Sequence, residues 1–169
     1  IEANFSYWSD ELVILHHRIA SRFSRAEPRR QAEIYLKGLF SPIRRKNSWQ
    51  LAEIAGEKTP DGIQRLLNTA LWDVDGVRDD LREYVVEKMG DPNGVLVIDE
   101  TGFPKKGKKS VGVKRQYSGT LGKVDNCQIG VFLSYASQHG RTLLDRELYL
   151  PKEWVDDKER CQEVHVPEN

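Results

Sequence analysis

The chain has 169 residues and a mass of 19.4 kDa, the length of one ordinary domain or two small ones. Hydrophobic residues make up 38% and charged residues 31%, enough apolar material for a packed core, which excludes a wholly disordered chain. The 26 basic and 26 acidic side chains cancel, so affinity for nucleic acid must come from a local patch, and no run of about 18 apolar residues is present to form a membrane span.

The first residues, Ile1-Glu2-Ala3-Asn4, carry no basic-then-apolar secretory pattern and no initiator methionine, so a processed or excised piece is expected. The two cysteines, Cys127 and Cys161, make neither a disulfide framework nor a metal knuckle.

Residues 1–90 read as a helical domain. Over Tyr7–Phe23, Trp8, Leu12, Leu15, Ile19 and Phe23 recur at spacings of three and four and form one apolar stripe. Pro28 suits a helix first turn, and Ala32, Tyr35, Leu36, Leu39 and Phe40 follow it. Ser48 is a candidate N-cap for the stretch ending at Gly56. Thr59-Pro60 opens the next helix, with Ile63, Leu66, Leu67, Ala70 and Leu71 on one face. Asp73 or Asp75 caps a fifth, whose stripe is Val77, Leu81, Tyr84, Val85 and Met89. His16 and His17 have no acid or cysteine cluster beside them and read as surface groups rather than metal ligands.

The period changes after Pro92. Gly94–Asp99 (GVLVID) is a short apolar run ending in an acid, the pattern of a strand buried on both faces. Gln128–Ala136 and Thr142–Leu150 read as two more strands, joined as a hairpin through Ser137–Gly140. The segment between the first two strands is rich in Gly and Lys. After Pro151 the chain is acidic, and Trp154 opens a last helix. The fold class is therefore α+β: helices over 1–90, then three strands and a helix start over 91–169.

Three groups of residues carry candidate chemistry. Asp99 closes a strand where packing does not call for a charge, and burying it unpaired would be costly. It reads either as a hard oxygen ligand for Mg²⁺ or as a group that caps the next turn or pairs with a lysine. Gly102–Lys108 matches G-x-x-x-x-G-K, but Lys109 stands where Ser or Thr is needed and no helix follows. An aspartyl-phosphate loop fails because Thr101 occupies the place of its second acid.

The second group, Lys105, Lys106, Lys108, Lys109, Lys114 and Arg115, has no acid among it. It reads as a phosphate-contacting segment or as a solvated, flexible loop. The third is a helix pair, 48–55 and 60–71, with Gly56 in its turn and Arg44, Arg45 and Lys46 just ahead. It fits a helix-turn-helix whose second helix offers Gln64, Arg65 and Asn68 to DNA, or a plain helical bundle. Cys127 reads as a small core residue, and Asp145, Arg146 and Glu147 as paired structural charges.

Long ordered strings of the chain closely resemble the DDE superfamily transposases of bacterial insertion sequences: VLVIDETGFP (95–104), RQYSG (115–119), NCQIGVFLSYA (126–136), LDRELYLPKEW (144–154) and, upstream, residues 45–72. The resemblance implies a helical DNA-binding region at 1–90, followed over 91–169 by the first three strands of a ribonuclease-H-like mixed sheet. It implies two Mg²⁺ (or Mn²⁺) ions held by Asp, Asp and Glu, with Asp99 in the first place. The family's second Asp lies in a segment with an acid followed by Tyr-Gly, which is absent here. The chain thus reads as an N-terminal portion, inactive alone and holding the metals weakly, of a bacterial cytoplasmic transposase. Such a protein acts on double-stranded insertion-sequence ends and target DNA, works as a homodimer and has no membrane contact. A non-catalytic DNA-binding regulator derived from a truncated transposase is the alternative. A plain metal-dependent nuclease is another.

Overall fold

The computed structural model describes residues 2–167, with side chains from Trp8 onward. It divides into two compact units, Ile1–Tyr84 and Val85–Asn169.

The first unit holds α1 (Glu2–Ile19), a 3₁₀ turn (Ala20–Arg22), α2 (Ala26–Phe40), α3 (Ser48–Ile54), α4 (Asp61–Asn68) and most of α5 (Val74–Met89). The expected stripes bury only in part. Ile19, Phe23, Ala32 and Leu66 form one buried cluster, against which Tyr35, Leu36, Trp72 and Val77 pack. Phe23 stacks on Trp72, with ring centroids 5.3 Å apart. Leu51, Ala52 and Ile63 form a second cluster, with Ile34, Tyr35 and Ile43 against it. Helices α2, α3 and α4 therefore make a three-helix group in which Tyr35 of α2 packs against both clusters.

The caps differ in detail from expectation. Asn47, not Ser48, caps α3, its side chain accepting from the Gln50 N–H at 3.0 Å. Asp73 caps α5 by accepting from the Gly76 N–H at 2.8 Å. His16 is a correction: it is buried, and its Nε2 lies 2.9 Å from the Arg29 carbonyl oxygen. The helix turns its face toward α2, so the ring satisfies a backbone group instead of meeting solvent.

Gly56, between α3 and α4, has φ +72°. A side chain there would be strained by about 1–3 kcal/mol. Gly56→Val should lose stability of that order in urea unfolding, and Gly56→Asn should recover most of it, because Asn tolerates this region. Equal stability of the Val variant would contradict the reading of this turn.

An ion pair fixes the start of α5. Arg22 donates to both oxygens of Asp80 at 2.8 Å, and more weakly to Asp73 at 3.3 Å. The hydrogen bonds from Arg22 hold the Asp80 carboxyl below its ordinary range. A folded-state value depressed in this way stabilises the fold above about pH 4, the unfolded value, and the contribution fades as pH falls through the folded value. Asp80→Asn should thus lower the melting temperature clearly at pH 7 and by much less at pH 3. An equal drop at both pH values would contradict it.

The second unit is an antiparallel sheet. Its strands are β1 (Val95–Pro104), β2 (Lys114–Ser118), β3 (Lys123–Ser137) and β4 (Gly140–Leu148), followed by the short helices α6 (Lys152–Val155) and α7 (Lys158–Glu163). The long β3 is central. It pairs with β1 along Val95↔Ala136 to Pro104↔Cys127, with β2 through its first residues, and with β4 from Gly130↔Leu148 to Ser137↔Gly140. The β3–β4 hairpin turns through Gln138 and His139 as expected, and β4 carries an irregularity opposite Leu133/Ser134.

The structure adds β2 to the three expected strands, starts β3 at Lys123 and runs β1 five residues past Asp99. All pairings among the described residues are antiparallel, and helices followed by this sheet make the expected α+β class. Burial corrects a further expectation. Val95, Leu96, Val97 and Ile98 are 47–73% exposed, so this first part of β1 is covered on neither face, while Gly102 farther along is buried. Among the described residues it pairs only with β3, leaving an aliphatic edge. The unit buries Val113, Cys127, Ile129 and Trp154, and burial raises the Cys127 thiol pKa.

Candidate metal-ligating carboxylate and nucleic-acid interface

Strand alternation sets what surrounds Asp99. It pairs with Phe132, which pairs with Arg146 on β4, so these three share one sheet face, with Thr101 and Phe103. Glu100 faces the other way. Asp99 is exposed, accepts a hydrogen bond from the Glu100 N–H at 2.8 Å, and has no ion-pair partner among the described residues. It is neither buried in an apolar interior nor neutralised by a lysine. No group of three or more His, Cys, Asp or Glu able to hold a metal occurs among the described residues.

The basic segment lies at the far end of β1. Six residues of extended chain separate Asp99 from Lys105, about 20 Å at most. Residues 105–113 form no helix, which removes the P-loop alternative. Lys106, Lys108 and Lys109 are exposed and Lys105 half-buried, and none of the four pairs with an acid among the described residues. Lys114 is committed differently: its ammonium is hydrogen-bonded to Glu153, which holds that carboxyl below its usual range. Arg115 is exposed on β2. Side chains of β3 and the C-terminal helices bond the carbonyls of this loop.

In the first unit, Gln64, Arg65 and Asn68 are exposed on α4 and line one open cleft of about 430 Å³ with Asp61 and Thr69. A neighbouring cleft of about 350 Å³ shares Arg65 and Thr69 and adds Ser24, Arg25 and Glu27. Arg25 was not among the residues expected from the sequence, because it lies between helices, outside any periodic pattern. Arg65 approaches Glu27 at 3.9 Å, a loose contact worth little at an exposed site. Arg44 and Arg45 are exposed. Lys46 donates to the carbonyls of Ser41 and Ile43, both at 3.2 Å, and so closes the end of α2. Two short helices stand in sequence, α3, a left-handed Gly56, then α4 packed on α2 and α3. No helix among the described residues is long and apolar enough to cross a membrane.

The family model described as DDE superfamily endonuclease matches residues 18–169. A protein described as a probable transposase for insertion sequence element IS701, from Microchaete diplosiphon, is 38% identical over 117 residues. That stretch covers 69% of this chain and 30% of the relative, so the match spans under a third of the relative's length. No solved structure matches.

Proposed function

The chain belongs to the DDE superfamily endonucleases, and on that premise we propose that it is the N-terminal portion of a Mg²⁺-dependent insertion-sequence transposase. The observation that carries the reading is Asp99: an exposed carboxylate that, among the described residues, has no cation partner, on a strand that pairs along one edge only. The bare aliphatic run Val95–Ile98 fits a sheet edge that further chain covers. On this reading the second and third carboxylates lie outside these 169 residues.

Asp99 is the residue that would hold a divalent ion, Mg²⁺ or Mn²⁺, and such an ion supplies Lewis-acid stabilisation of charge at the scissile phosphate. The protein's own part is positioning. Asp99 presents its carboxylate at a fixed strand position. Lys105, Lys106, Lys108 and Lys109 would neutralise phosphates near the cut, within at most about 20 Å of Asp99 along the strand. At a rise of 3.4 Å per base pair, 20 Å corresponds to about six base pairs. Arg115 extends this basic surface. In the first unit, Gln64, Arg65 and Asn68 of α4 would contact DNA, Gln64 and Asn68 suiting adenine edges and Arg65 guanine or phosphate. Arg44 and Arg45 would flank them on the backbone. Lys46 contributes through the loop it closes.

The reaction is in-line attack by water, and then by a DNA 3′-hydroxyl, on a phosphodiester. Cleavage frees an element end and transfer joins it to target DNA. Two ends must be brought together, which suits a homodimer of the whole protein acting in the bacterial cytoplasm. The 169 residues alone, with a single candidate carboxylate, would bind double-stranded DNA without cutting it. That is also how a regulator derived from a truncated transposase would act. Incubating full-length protein with element-end DNA and Mg²⁺ separates the readings. Cut and joined products are expected; cut ends alone indicate a nuclease, and binding without cutting indicates a regulator. Cleavage by the 169-residue chain alone would contradict the proposal that its site is incomplete.

A further inference from the structure

We propose that residues 105–113 are a preformed phosphate-contact loop, shaped by four residues that need not touch DNA themselves: Asn126, Gln128, Trp154 and Arg160. This rests on the reading that the loop lysines meet DNA. Five carbonyls of the loop accept hydrogen bonds from side chains outside it. Asn126 Nδ2 donates to Lys105 at 2.6 Å and to Gly107 at 2.9 Å. Arg160 Nη2 donates to Lys108 at 2.7 Å. Gln128 Nε2 donates to Val111 at 2.6 Å, and Trp154 Nε1 to Val113 at 2.9 Å. The Lys105 N–H in turn donates to the Asn126 carbonyl at 2.9 Å. Surface loops usually leave such carbonyls to water.

The clamp is itself braced. The Arg160 guanidinium lies 3.5 Å from the Trp154 ring centroid, and the Cys161 thiol donates to the Trp154 carbonyl at 3.1 Å. Asp157 caps α7 by accepting from the Arg160 N–H. Gly112 has φ +74°, and a Cβ there would fall 2.8 Å from the Tyr149 carbonyl oxygen. The loop path is thus fixed at both ends and near its middle.

Four lysines held on a rigid nine-residue loop with no acid repel one another. Folding gains nothing from that arrangement, whereas a polyanion does: lysines already in place lose less freedom on binding. The loop sequence alone suggests a flexible tether; the five carbonyl bonds make it a platform.

The test uses the 169-residue chain and a 30-base-pair duplex, with anisotropy titrations across a salt series. Changing all four lysines to Gln should weaken binding at least about tenfold and reduce the log–log salt slope by up to about 4. Asn126→Ala and Arg160→Ala keep every lysine, and each should weaken binding about three- to tenfold. In both, loop amides should exchange faster while β3 and β4 amides stay protected. Arg160→Lys, which keeps a charged donor, should regain part of the loss. If the lysine variant binds like the parent, the loop does not contact DNA and the inference falls with that reading. If it binds weakly while Asn126→Ala and Arg160→Ala bind like the parent with faster loop exchange, the lysines contact DNA but the clamp is overturned. Should Asn126→Ala fail to fold, Arg160→Ala decides alone.

Discussion

Full-length protein carrying Asp99→Asn is expected to bind element-end DNA like the parent and to lose cleavage by about 10³-fold or more. The substitution is nearly isosteric. An Asn carbonyl can still accept from the Glu100 N–H, so the strand end keeps its local geometry. Asp99 is exposed and has no ion-pair partner among the described residues, so stability should change by no more than about 0.5 kcal/mol. What disappears is the negative charge on a hard oxygen. A cation site held by few ligands tolerates that loss poorly. The separation between unchanged folding, unchanged binding and lost chemistry distinguishes a catalytic carboxylate from a structural one. Parental cleavage rates in the variant would remove Asp99 from the chemistry.

The largest stability effect is expected at Trp154. The ring is 1% exposed, donates to the Val113 carbonyl and carries the Arg160 guanidinium on its face. Trp154→Ala should cost about 3–5 kcal/mol, and it leaves the Val113 carbonyl without its donor. The loss should be confined to the second unit, which contains no other tryptophan. Near-ultraviolet circular dichroism and urea unfolding, followed separately from the helical signal, measure it. Trp154→Phe restores most of the volume but not the N–H, so it should fall between parent and Ala. A Phe variant as stable as the parent would show that packing alone sets the effect.

The helical half was legible where an apolar period coincided with a chemically marked end. Ile19, Phe23, Ala32 and Leu66 lie on the expected stripes and are buried. Asp73 caps as its type suggests. His16 escaped because burial there depends on which helix packs opposite, and the Arg29 carbonyl it meets is 13 residues away. In the second half, β2 was silent. Lys114, Arg115, Gln116, Tyr117 and Ser118 carry no aliphatic alternation, and the strand is held mainly by backbone pairing with β3. The exposure of Val95–Ile98 could not be read either: an aliphatic run states what a strand needs, not whether this stretch of chain supplies it.

Asp99 was legible for the opposite reason, since a charge closing an aliphatic run breaks a local rule. The resemblance of the surrounding strings supplied its family context, which the match over residues 18–169 bears out. Gln64, Arg65 and Asn68 follow helical spacing and do share one cleft. The clamp on the basic loop was invisible because its bonds are non-local. Arg160 reaches Lys108 across 52 residues and Trp154 reaches Val113 across 41.

Asp99→Cys in the full-length protein tests the metal assignment most directly. A thiolate is a poor ligand for Mg²⁺ and a better one for Mn²⁺. The account predicts that the Cys variant fails to cleave element-end DNA in Mg²⁺ and regains cleavage in Mn²⁺, while Asp99→Ala stays inactive in both. Cleavage by the Ala variant in Mg²⁺ at the parental rate would contradict it.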